Sequence, residues 1–434
     1  MSKIRAGDSS GVDAAPKRDF GERILAMAER LAAHSDSPSG LECTVLRPAH
    51  RATAADLLAW MGEAGLSAAI DGIGNVVGRL PAANAAVRTL VIGSHYDTVR
   101  NAGKYDGRLG VLAGLAVAEE LARRNVALPF HLDVVAFAEE EGVRFLTAYL
   151  GSCAFTGRFD PEWLERHDDD GVRLADALAE NGFAPTAIPS LSRRSDLAAY
   201  LEVHIEQGPV LIAEDLPVGI VSSIAGAVRH AVVITGVAGH AGTVPMSLRH
   251  DAAAAAAEIV LLVERRCAAA PGLVGTVGRL AIPNGALNVV PGRCEFTLDI
   301  RAVDDATRDA ASADVLAEID RIAARRGVSV DIREIGRSPA VACAPRLAAA
   351  FEQAIGRAGL RPFHLVSGAG HDALQFDGIC DMAMLFVRCG NGGVSHSPLE
   401  TVTAADVDVA ARVLLDTILV LAESWRSGTP VITA

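Results

Sequence analysis

The chain is short of aromatic residues, of positive charge and of long apolar runs, and each shortage excludes something. Aromatic residues make up only 4% of the 434 residues, so Ala, Val and Leu must supply most of the hydrophobic core. The formal net charge of -13 leaves no basic surface to neutralise phosphates, which argues against nucleic acid as a partner. No segment approaches the run of about 20 apolar residues that a membrane-spanning helix needs. We therefore expect neither a nucleic-acid-binding nor a membrane protein.

Paired cysteines and a secretory leader are also missing. The seven cysteines are an odd number and no two of them form a CxxC pair, which argues against a disulfide framework or a thiolate metal site. Residues 1–19, MSKIRAGDSSGVDAAPKRD, contain no apolar stretch of the kind found in secretory signals. These features predict a cytoplasmic protein that begins with a disordered tail over residues 1–19.

The length and the alternation of apolar segments predict a two-domain α/β protein. A chain of 434 residues exceeds what one hydrophobic core usually organises. Residues 88–98 (RTLVIGSHYDT) predict a buried strand, residues 107–124 a helix, and residues 130–142 (FHLDVVAFAEEEG) a second strand. This order is typical of a parallel crossover unit, and ligand sites in open α/β sheets collect at the carboxyl ends of such strands.

The pattern changes at about residue 222. Between residues 222 and 337, two helical and four β-rich stretches predict a compact α+β unit of the size of a small domain. After residue 337 the α/β pattern returns and runs to a final helix over residues 404–424. We therefore expect residues 20–221 and 338–434 to form one domain, with residues 222–337 inserted into it.

Acidic residues and histidines gather at the predicted strand ends and turns. They are His95, Asp97, Asp106, Glu139, Glu140, Glu141, His204, His240, His371 and His396. Taken singly, each has a structural interpretation, because strand-end histidines are usually hydrogen-bonded and Asp-Gly pairs favour turns. Taken together, they supply ligands that suit zinc or manganese, and three adjacent carboxylates repel one another unless a cation or water screens them. The residues alone leave a two-metal hydrolase and a solvated polar surface as alternatives.

Seven motifs, taken in order, resemble the two-metal amidohydrolases related to the zinc aminoacylases and carboxypeptidases. The motifs are GSHYDTVRNAGKYDG, AFAEEEGVRF, EVHIEQGPVL, GHAGTVPM, LNVVPG followed by FTLDIR, SGAGHDA and SHSPLE. That family includes allantoate amidohydrolases, N-carbamoyl-L-amino-acid hydrolases and β-ureidopropionases, and the resemblance spans about residues 20 to 424. It implies a mixed-sheet, metallopeptidase-like catalytic domain with an inserted lid and dimerisation domain.

The resemblance also implies a metal site, residue by residue. It assigns two divalent ions per subunit, Mn²⁺ or Zn²⁺, with Asp106 bridging them and the full ligand set being His95, Asp106, Glu141, His204 and His396. Glu140 matches the position of the general base, and Asp97 matches the residue that orients His95. The three consecutive acids leave a second register open, in which Glu139 is the base and Glu140 the ligand. Counting back from Gly142 favours the first register.

On the substrate side, the resemblance implies that Arg301 holds a carboxylate, since its planar fork pairs both carboxylate oxygens. Gln207, Asn288 and His371 match groups that bind the ureido and carboxylate parts, and His240 matches the histidine that stabilises the oxyanion. His240, Asn288 and Arg301 belong to the predicted inserted domain, so catalysis would require the two domains to close. The resemblance also implies a homodimer.

The expected reaction is hydrolysis of a small ureido substrate that carries a carboxylate. The stretches AGKYDGRLG, EEGVRFLTAYLGS, GHAGTVPMSLRHD and MLFVRCGNGGVSHSPLE are most similar to allantoate amidohydrolases. We therefore expect allantoate to lose a carbamoyl group as ammonia and carbon dioxide. Hydrolysis of N-carbamoyl-L-amino acids is the first alternative, and a dipeptidase or aminoacylase reaction is a further one. A metal-binding protein without activity would lack the base or a ligand, whereas every position is filled here.

Overall fold

The computed structural model describes residues 19–427. Of the predicted tail, residues 1–18 lie outside the described residues, whereas Asp19 belongs to the fold. The Asp19 carboxylate caps the first helix, where it accepts a hydrogen bond from the Glu22 amide at 3.1 Å. Within residues 19–427, none of the helices combines the length and the apolar composition that crossing a bilayer requires.

Helices and strands alternate through most of the chain. The α-helices are α1 (Phe20–Ala32), α2 (Pro48–Glu63), α3 (Arg108–Arg123), α4 (Leu150–Thr156), α5 (Leu174–Glu180), α6 (Val210–Ala213), α7 (Ala252–Ala268), α8 (Asp305–Arg326), α9 (Pro345–Arg357) and α10 (Ala404–Arg426). The strands are β1 (Ser67–Ile70), β2 (Val76–Leu80), β3 (Thr89–His95), β4 (His131–Phe137), β5 (Leu197–Ile205), β6 (Val218–Ile224), β7 (Gly226–Thr235), β8 (Gly239–His240), β9 (Leu273–Thr276), β10 (Leu280–Ala281), β11 (Val289–Val290), β12 (Arg293–Ala302), β13 (Ser329–Ser338), β14 (Val341–Ala342), β15 (His364–Ser367) and β16 (Asp381–Val387).

The larger sheet has nine strands in the order β1-β2-β4-β3-β5-β16-β6-β14, with β15 also paired to β6. Strands β3, β4, β5 and β16 run parallel to their neighbours in the centre, whereas β2 and β6 pair with that centre antiparallel. The sheet is therefore mixed, as the resemblance implied. The β3–α3–β4 connection is the parallel crossover that the sequence predicts.

The central strands are buried on both faces, which explains their continuous apolar runs. Helix α3 lies close against one face of the sheet. A side chain at Gly110 would overlap the Val203 carbonyl of β5, so this approach requires glycine. On the sheet, Tyr200 stacks on Phe376 with ring centroids 3.8 Å apart, and Phe137 and Phe155 pack beside them. These four aromatic side chains form one contiguous group in a core that is mostly aliphatic.

A second sheet has its own hydrophobic core. Strands β10-β12-β7-β13 form it, with β9 also paired to β12, and helices α7 and α8 cover it. The sequence predicted four strands here, and the structure has five. One predicted strand, residues 275–282 (GTVGRLAI), is divided between β9 and β10, and the register against β12 shifts by one residue between them. At the break, the Arg279 amide donates to the Thr297 hydroxyl at 3.2 Å, while the Arg279 carbonyl accepts from the Thr297 amide at 3.1 Å. A further two-stranded sheet, β8 with β11, lies in the same part of the chain.

Two antiparallel strand pairs connect the sheets. In the larger sheet β14 pairs with β6, placing Val341 opposite Ile224. In the smaller sheet β13 pairs with β7, placing Ser338 opposite Ala227. The chain therefore leaves the larger sheet and returns to it as one continuous two-stranded ribbon.

Candidate active site

The sequence-predicted histidines and acids meet at one edge of the larger sheet. His95 is the last residue of β3, Glu140 and Glu141 follow β4, and His204 lies near the end of β5. Because β3, β4 and β5 are parallel neighbours, their carboxyl ends meet at the same edge. The loop after β16 brings His396 to the same place.

Asp106 lies at the centre of this histidine–carboxylate cluster. Its Oδ1 atom is 3.2 Å from His204 Nε2 and 3.6 Å from His95 Nε2. Its Oδ2 atom is 3.1 Å from His396 Nε2, and that nitrogen is in turn 3.5 Å from Glu141 Oε1. The two oxygens of one carboxylate thus face two separate groups of side chains, His95 with His204 and His396 with Glu141.

The glycine that follows Asp106 makes this approach possible. Gly107 has a φ of 64°, and its amide lies 3.2 Å from His204 Nε2. A Cβ atom at this position would overlap the His95 imidazole. Gly107 is therefore required both by its backbone conformation and by the space that His95 occupies.

The protonation of the imidazoles shows why these side chains fit metal ions. His204 Nδ1 lies 2.9 Å from the carbonyl oxygen of Ile205, which can only accept, so Nδ1 carries the hydrogen. His95 Nδ1 likewise faces the Asp97 carboxylate at 3.2 Å. Nε2 is then the atom of each ring that faces Asp106, at 3.2 Å in His204 and 3.6 Å in His95, and it needs a proton or a cation there because a bare lone pair would repel the carboxylate oxygen. A buried oxygen of Glu141, Oε1, also accepts no hydrogen bond from any residue between 19 and 427. This donor set of imidazole and carboxylate suits zinc or manganese.

Burial shifts the titration of the acids beside the cluster. Burial raises the pKa of Glu141 to about 7 and raises the pKa of Glu140 well above its usual range. The charge of Asp106 adds to the shift of the Glu141 pKa, and the charge of Glu141 adds to the shift of the Glu140 pKa. The hydrogen bond to Asp106 raises the pKa of His396 to about 9. In the absence of a cation the cluster thus retains protons that an ion would displace.

Asp97 and Glu139 serve the loops rather than the centre of the cluster. Asp97 is buried and accepts hydrogen bonds from the backbone amides of Glu140 (3.0 Å) and Glu141 (3.3 Å), so it connects the acidic loop to His95. The Glu139 carboxylate turns back on its own loop and accepts from the Val143 amide at 3.1 Å. Of the three consecutive acids, Glu140 and Glu141 face His95 and Glu139 does not.

Two of the predicted substrate-binding residues also lie at the cluster. The Gln207 amide nitrogen donates to Asp106 Oδ2 at 2.8 Å, and Gln207 adopts a φ of 56°. His371 is buried behind His204, with ring centroids 4.5 Å apart, and its Nε2 lies 2.8 Å from the Ser367 hydroxyl. Both side chains therefore contact residues that the sequence predicts as metal ligands.

The remaining three predicted residues lie on the smaller sheets. His240 on β8 pairs with Val289 on β11, and the Ala241 amide donates to the Asn288 carbonyl at 2.9 Å. Within residues 19–427, neither the His240 nor the Asn288 side chain bonds to the histidine–carboxylate cluster. Arg301 on β12 pairs with Asp299 at 2.9 and 3.0 Å, and it also donates to the Gly368 carbonyl at 2.6 Å. Arg301 thus spans from the smaller sheet to the loop that leads into His371.

Two buried acids that sequence reasoning missed support the cluster. Glu400 accepts hydrogen bonds from the amides of Tyr105 (2.8 Å) and Asp106 (3.2 Å) and so fixes the loop that carries the central carboxylate. Glu202 accepts from the Ser94 hydroxyl at 2.9 Å and from the Tyr200 hydroxyl at 3.0 Å, directly behind the histidines. A signal for Glu202 was present, since a glutamate within an apolar strand two residues before His204 requires buried partners.

Known proteins are similar to this chain over most of its length. The chain is 40% identical over 405 residues to the N-carbamoyl-L-amino acid amidohydrolase of Geobacillus stearothermophilus, covering 93% of this chain and 99% of that protein. It is 37% identical to the allantoate deiminase of Arabidopsis thaliana, covering 92% and 83%. A crystal structure of a hydantoinase/carbamoylase family amidase from Burkholderia multivorans superposes with a TM-score of 0.87 at 34% identity, covering 93% and 98%.

The model of one protein family matches residues 91–420, which include each residue of the histidine–carboxylate cluster. The relatives are named as amidohydrolases and a deiminase, which confirms the resemblance drawn from the motifs. By this match and these relatives, the chain is an enzyme and belongs to peptidase family M20/M25/M40.

Proposed function

We propose that this enzyme is a metal-dependent amidohydrolase that removes the carbamoyl group of allantoate. The observation that carries the proposal is the position of Asp106, whose two oxygens face two sets of ligand-type side chains. His95 and His204 would hold one divalent ion and Glu141 and His396 the other, with Asp106 shared between them. Two such ions would polarise the substrate carbonyl and lower the pKa of a water molecule toward neutrality.

Glu140 is the proposed general base. It is buried beside His95 and Glu141, and its carboxylate is not committed to a backbone amide as that of Glu139 is. A carboxylate whose pKa is raised by burial is a stronger base once ionised, and it retains the proton for delivery in a later step. Asp97 fixes the orientation of Glu140 through the bond to its amide.

The chemistry balances with one water molecule per carbamoyl group. Glu140 takes a proton from water while the oxygen adds to the carbamoyl carbon, and His240 donates a hydrogen bond to the oxyanion that forms. Glu140 then returns the proton to the leaving nitrogen as the carbon–nitrogen bond breaks. One ureido group and one water molecule give ammonia, carbon dioxide and an amine, which for allantoate is ureidoglycine.

Residues on both sheets would bind the substrate. Arg301 would pair with the substrate carboxylate, while Gln207, Asn288 and His371 would contact its ureido and carboxylate groups. Because His240 and Asn288 lie apart from the cluster in this structure, the proposal requires residues 222–337 to move toward the larger sheet as substrate binds. Such closure would exclude water from the reaction.

The choice of allantoate rests on the motifs around Asp106, Glu141, His240 and His396, which are most similar to allantoate amidohydrolases. An N-carbamoyl-L-amino acid is the second candidate, because a relative of that name is equally similar. The test is ammonia release by the purified protein loaded with manganese or zinc, measured with allantoate, N-carbamoyl-L-amino acids, ureidoglycolate and a dipeptide panel. A kcat/KM at least a hundredfold higher for allantoate, worth about 2.7 kcal/mol, supports the proposal. A dipeptide as the best substrate would contradict it.

The general base can be tested with a matched pair of variants. Glu140→Gln should lower kcat by at least about a hundredfold, since general-base catalysis contributes factors of this order. Glu139→Gln removes the neighbouring charge at a carboxylate that binds its own loop, and we expect a much smaller loss of kcat. If Glu139→Gln loses turnover with its metal bound while Glu140→Gln loses metal, the alternative register is correct.

A homodimer is part of the proposal. Nine of the thirteen large apolar side chains that are exposed within residues 19–427 lie between residues 226 and 338, among them Met246, Leu248 and Leu287. Exposed apolar side chains concentrated in one part of a chain are typical of an interaction surface. Sedimentation velocity at micromolar concentration should give the mass of a dimer, and a fully active monomer would refute this part of the proposal.

A further inference from the structure

Tyr149 has an unusual backbone conformation beside the proposed base. Its φ is 64°, in the left-handed region that a bulky residue rarely adopts, and its amide donates to the Glu140 carbonyl at 3.2 Å. It also precedes α4, whose first turn begins with the Cys153 amide bonded to the Tyr149 carbonyl at 2.9 Å. Strained residues of this kind concentrate at functional sites.

The phenol ring of Tyr149 reaches across to the loop that leads into His371. Its hydroxyl lies over Gly370, where any Cβ atom would overlap it. The same loop receives the Arg301 guanidinium at the Gly368 carbonyl, two residues earlier. The Tyr149 hydroxyl is therefore placed between the acidic loop that carries Glu140 and the guanidinium that spans from the smaller sheet.

The Tyr149 hydroxyl is left without a partner in the described part of the chain. Among residues 19–427, no group donates a hydrogen bond to Tyr149 Oη or accepts one from it. Burial, together with the nearby charge of Glu140, raises the pKa of the Tyr149 hydroxyl, so this group remains a hydrogen-bond donor at neutral pH. Because Tyr149 is only partly buried, water can bind this hydroxyl, and a ligand with an acceptor at the same place can replace that water.

We propose that Tyr149 is a specificity-determining residue, whose hydroxyl binds the polar substituent on the α-carbon of the substrate. This inference rests on the proposed function, because it uses the binding of the substrate at both of its ends. A substrate whose carboxylate meets Arg301 and whose carbamoyl carbon lies beside Glu140 has its α-carbon between the two. The third substituent of that carbon then lies in the region that the Tyr149 hydroxyl faces.

The chemistry of that substituent decides which substrate satisfies Tyr149. In allantoate it is a second ureido group, which can accept the hydrogen bond. In an N-carbamoyl amino acid with an alkyl side chain, the hydroxyl would be covered by hydrocarbon and left unpaired. Sites that hydrogen-bond a polar group discriminate strongly against analogues that lack it. Tyr149 would thus favour ureido and amide side chains over alkyl side chains of the same size.

The test compares Tyr149→Phe with the native enzyme on three substrates of similar shape. They are allantoate, N-carbamoyl-L-asparagine, whose side-chain amide replaces one ureido nitrogen by a methylene group, and N-carbamoyl-L-leucine. We expect kcat/KM to fall about tenfold for the first two, the loss of one hydrogen bond, and to change less than threefold for the leucine derivative. Ser190→Ala is the control, since it removes an exposed hydroxyl that donates to the Ala187 carbonyl at 2.6 Å outside the cluster, and it should leave all three values unchanged.

Each result decides the inference. An equal fall for all three substrates would mean that the hydroxyl serves the shared carboxylate or carbamoyl group, and it would overturn the specificity role. Unchanged values for Tyr149→Phe would overturn it as well, because the ring and the fold are retained. If the metal-loaded native enzyme hydrolyses none of the three substrates, the proposed function fails and this inference fails with it. If the native enzyme is active and Tyr149→Phe has the same preference among the three substrates, only the specificity role of Tyr149 is refuted.

Discussion

Replacing Asp97 by asparagine tests how the structure supports the histidine–carboxylate cluster. The Asp97 carboxylate is buried and faces three donors, the amides of Glu140 (3.0 Å) and Glu141 (3.3 Å) and the His95 Nδ1 atom (3.2 Å). Asparagine has nearly the same shape, so the substitution creates no cavity. It keeps one acceptor oxygen, however, and turns an NH₂ group toward the remaining donors.

The expected loss can be worked out from these contacts. A hydrogen bond to a charged acceptor contributes about 1.5–3 kcal/mol, and Asp97→Asn weakens at least two of them. Part of this loss would affect the proposed metal site, because His95 would lose its partner at Nδ1 and the loop that carries Glu141 would lose an anchor. Removal of such a supporting carboxylate lowers metal affinity or activity about 10- to 100-fold, which is about 1.4–2.7 kcal/mol. The remainder should appear in the free energy of unfolding.

Three measurements separate the two effects: metal content after dialysis, kcat/KM from ammonia release, and denaturant unfolding with and without metal. Asp133→Asn is the control, since Asp133 is equally buried but pairs with Arg79 at 2.7 and 2.8 Å away from the cluster. We expect it to lower stability without altering metal affinity. If Asp97→Asn binds metal with native affinity and retains kcat/KM within threefold, the supporting role of Asp97 is refuted.

Gly107, His50 and the titration of the cluster give three further predictions. Gly107→Ala should abolish metal binding, because the new Cβ atom would overlap an imidazole of the cluster. Gly65 also has a positive φ (82°) but has open space around it, so Gly65→Ala should cost only about 1–2 kcal/mol of stability and leave activity intact. The metal content and the unfolding of both variants check this. Burial lowers the pKa of His50 to about 4, whereas the pKa of this histidine in the unfolded chain is near 6.5. As pH falls, the unfolded chain therefore takes up the proton first, and the free energy of unfolding should fall by about 3 kcal/mol between pH 6.5 and 4. In His50→Gln the fall should be smaller by that amount. Metal binding at pH 7 should release protons, since without metal the pKa values of Glu141 and His396 are raised to about 7 and about 9. Metal affinity should therefore weaken as pH falls. Calorimetry in buffers of different ionisation enthalpy measures the proton release, and a metal affinity that is independent of pH would refute the prediction.

The sequence was sufficient for the central crossover and for the collection of ligands at its carboxyl edge, because buried parallel strands have continuous apolar runs and their ends meet. It was insufficient for the smaller sheet, where one predicted strand is interrupted at Arg279, whose amide bonds the Thr297 hydroxyl. No local pattern specifies such a bond, since it depends on which strand lies alongside.

For the site, residue types and motif order were enough to name the residues around Asp106, but not to distinguish the three consecutive acids. The turn after them decides which carboxylates face His95, and it depends on the bond between Glu139 and the Val143 amide. Glu400 was missed because its two amide donors are almost 300 residues away in the chain. Tyr149 was missed because left-handed backbone at a tyrosine has no signal in sequence.

The two-stranded ribbon between the sheets has an evolutionary consequence. Since Val341 lies opposite Ile224 in adjacent antiparallel strands, the chain enters and leaves residues 225–340 at neighbouring points. A short hairpin turn could therefore close β6 directly onto β14, and the shortened chain would still contain every residue of the histidine–carboxylate cluster. It would lack His240, Asn288 and Arg301. The fold thus allows the histidine–carboxylate cluster and these three side chains to have been acquired in separate genetic events, the second by a single insertion at one hairpin.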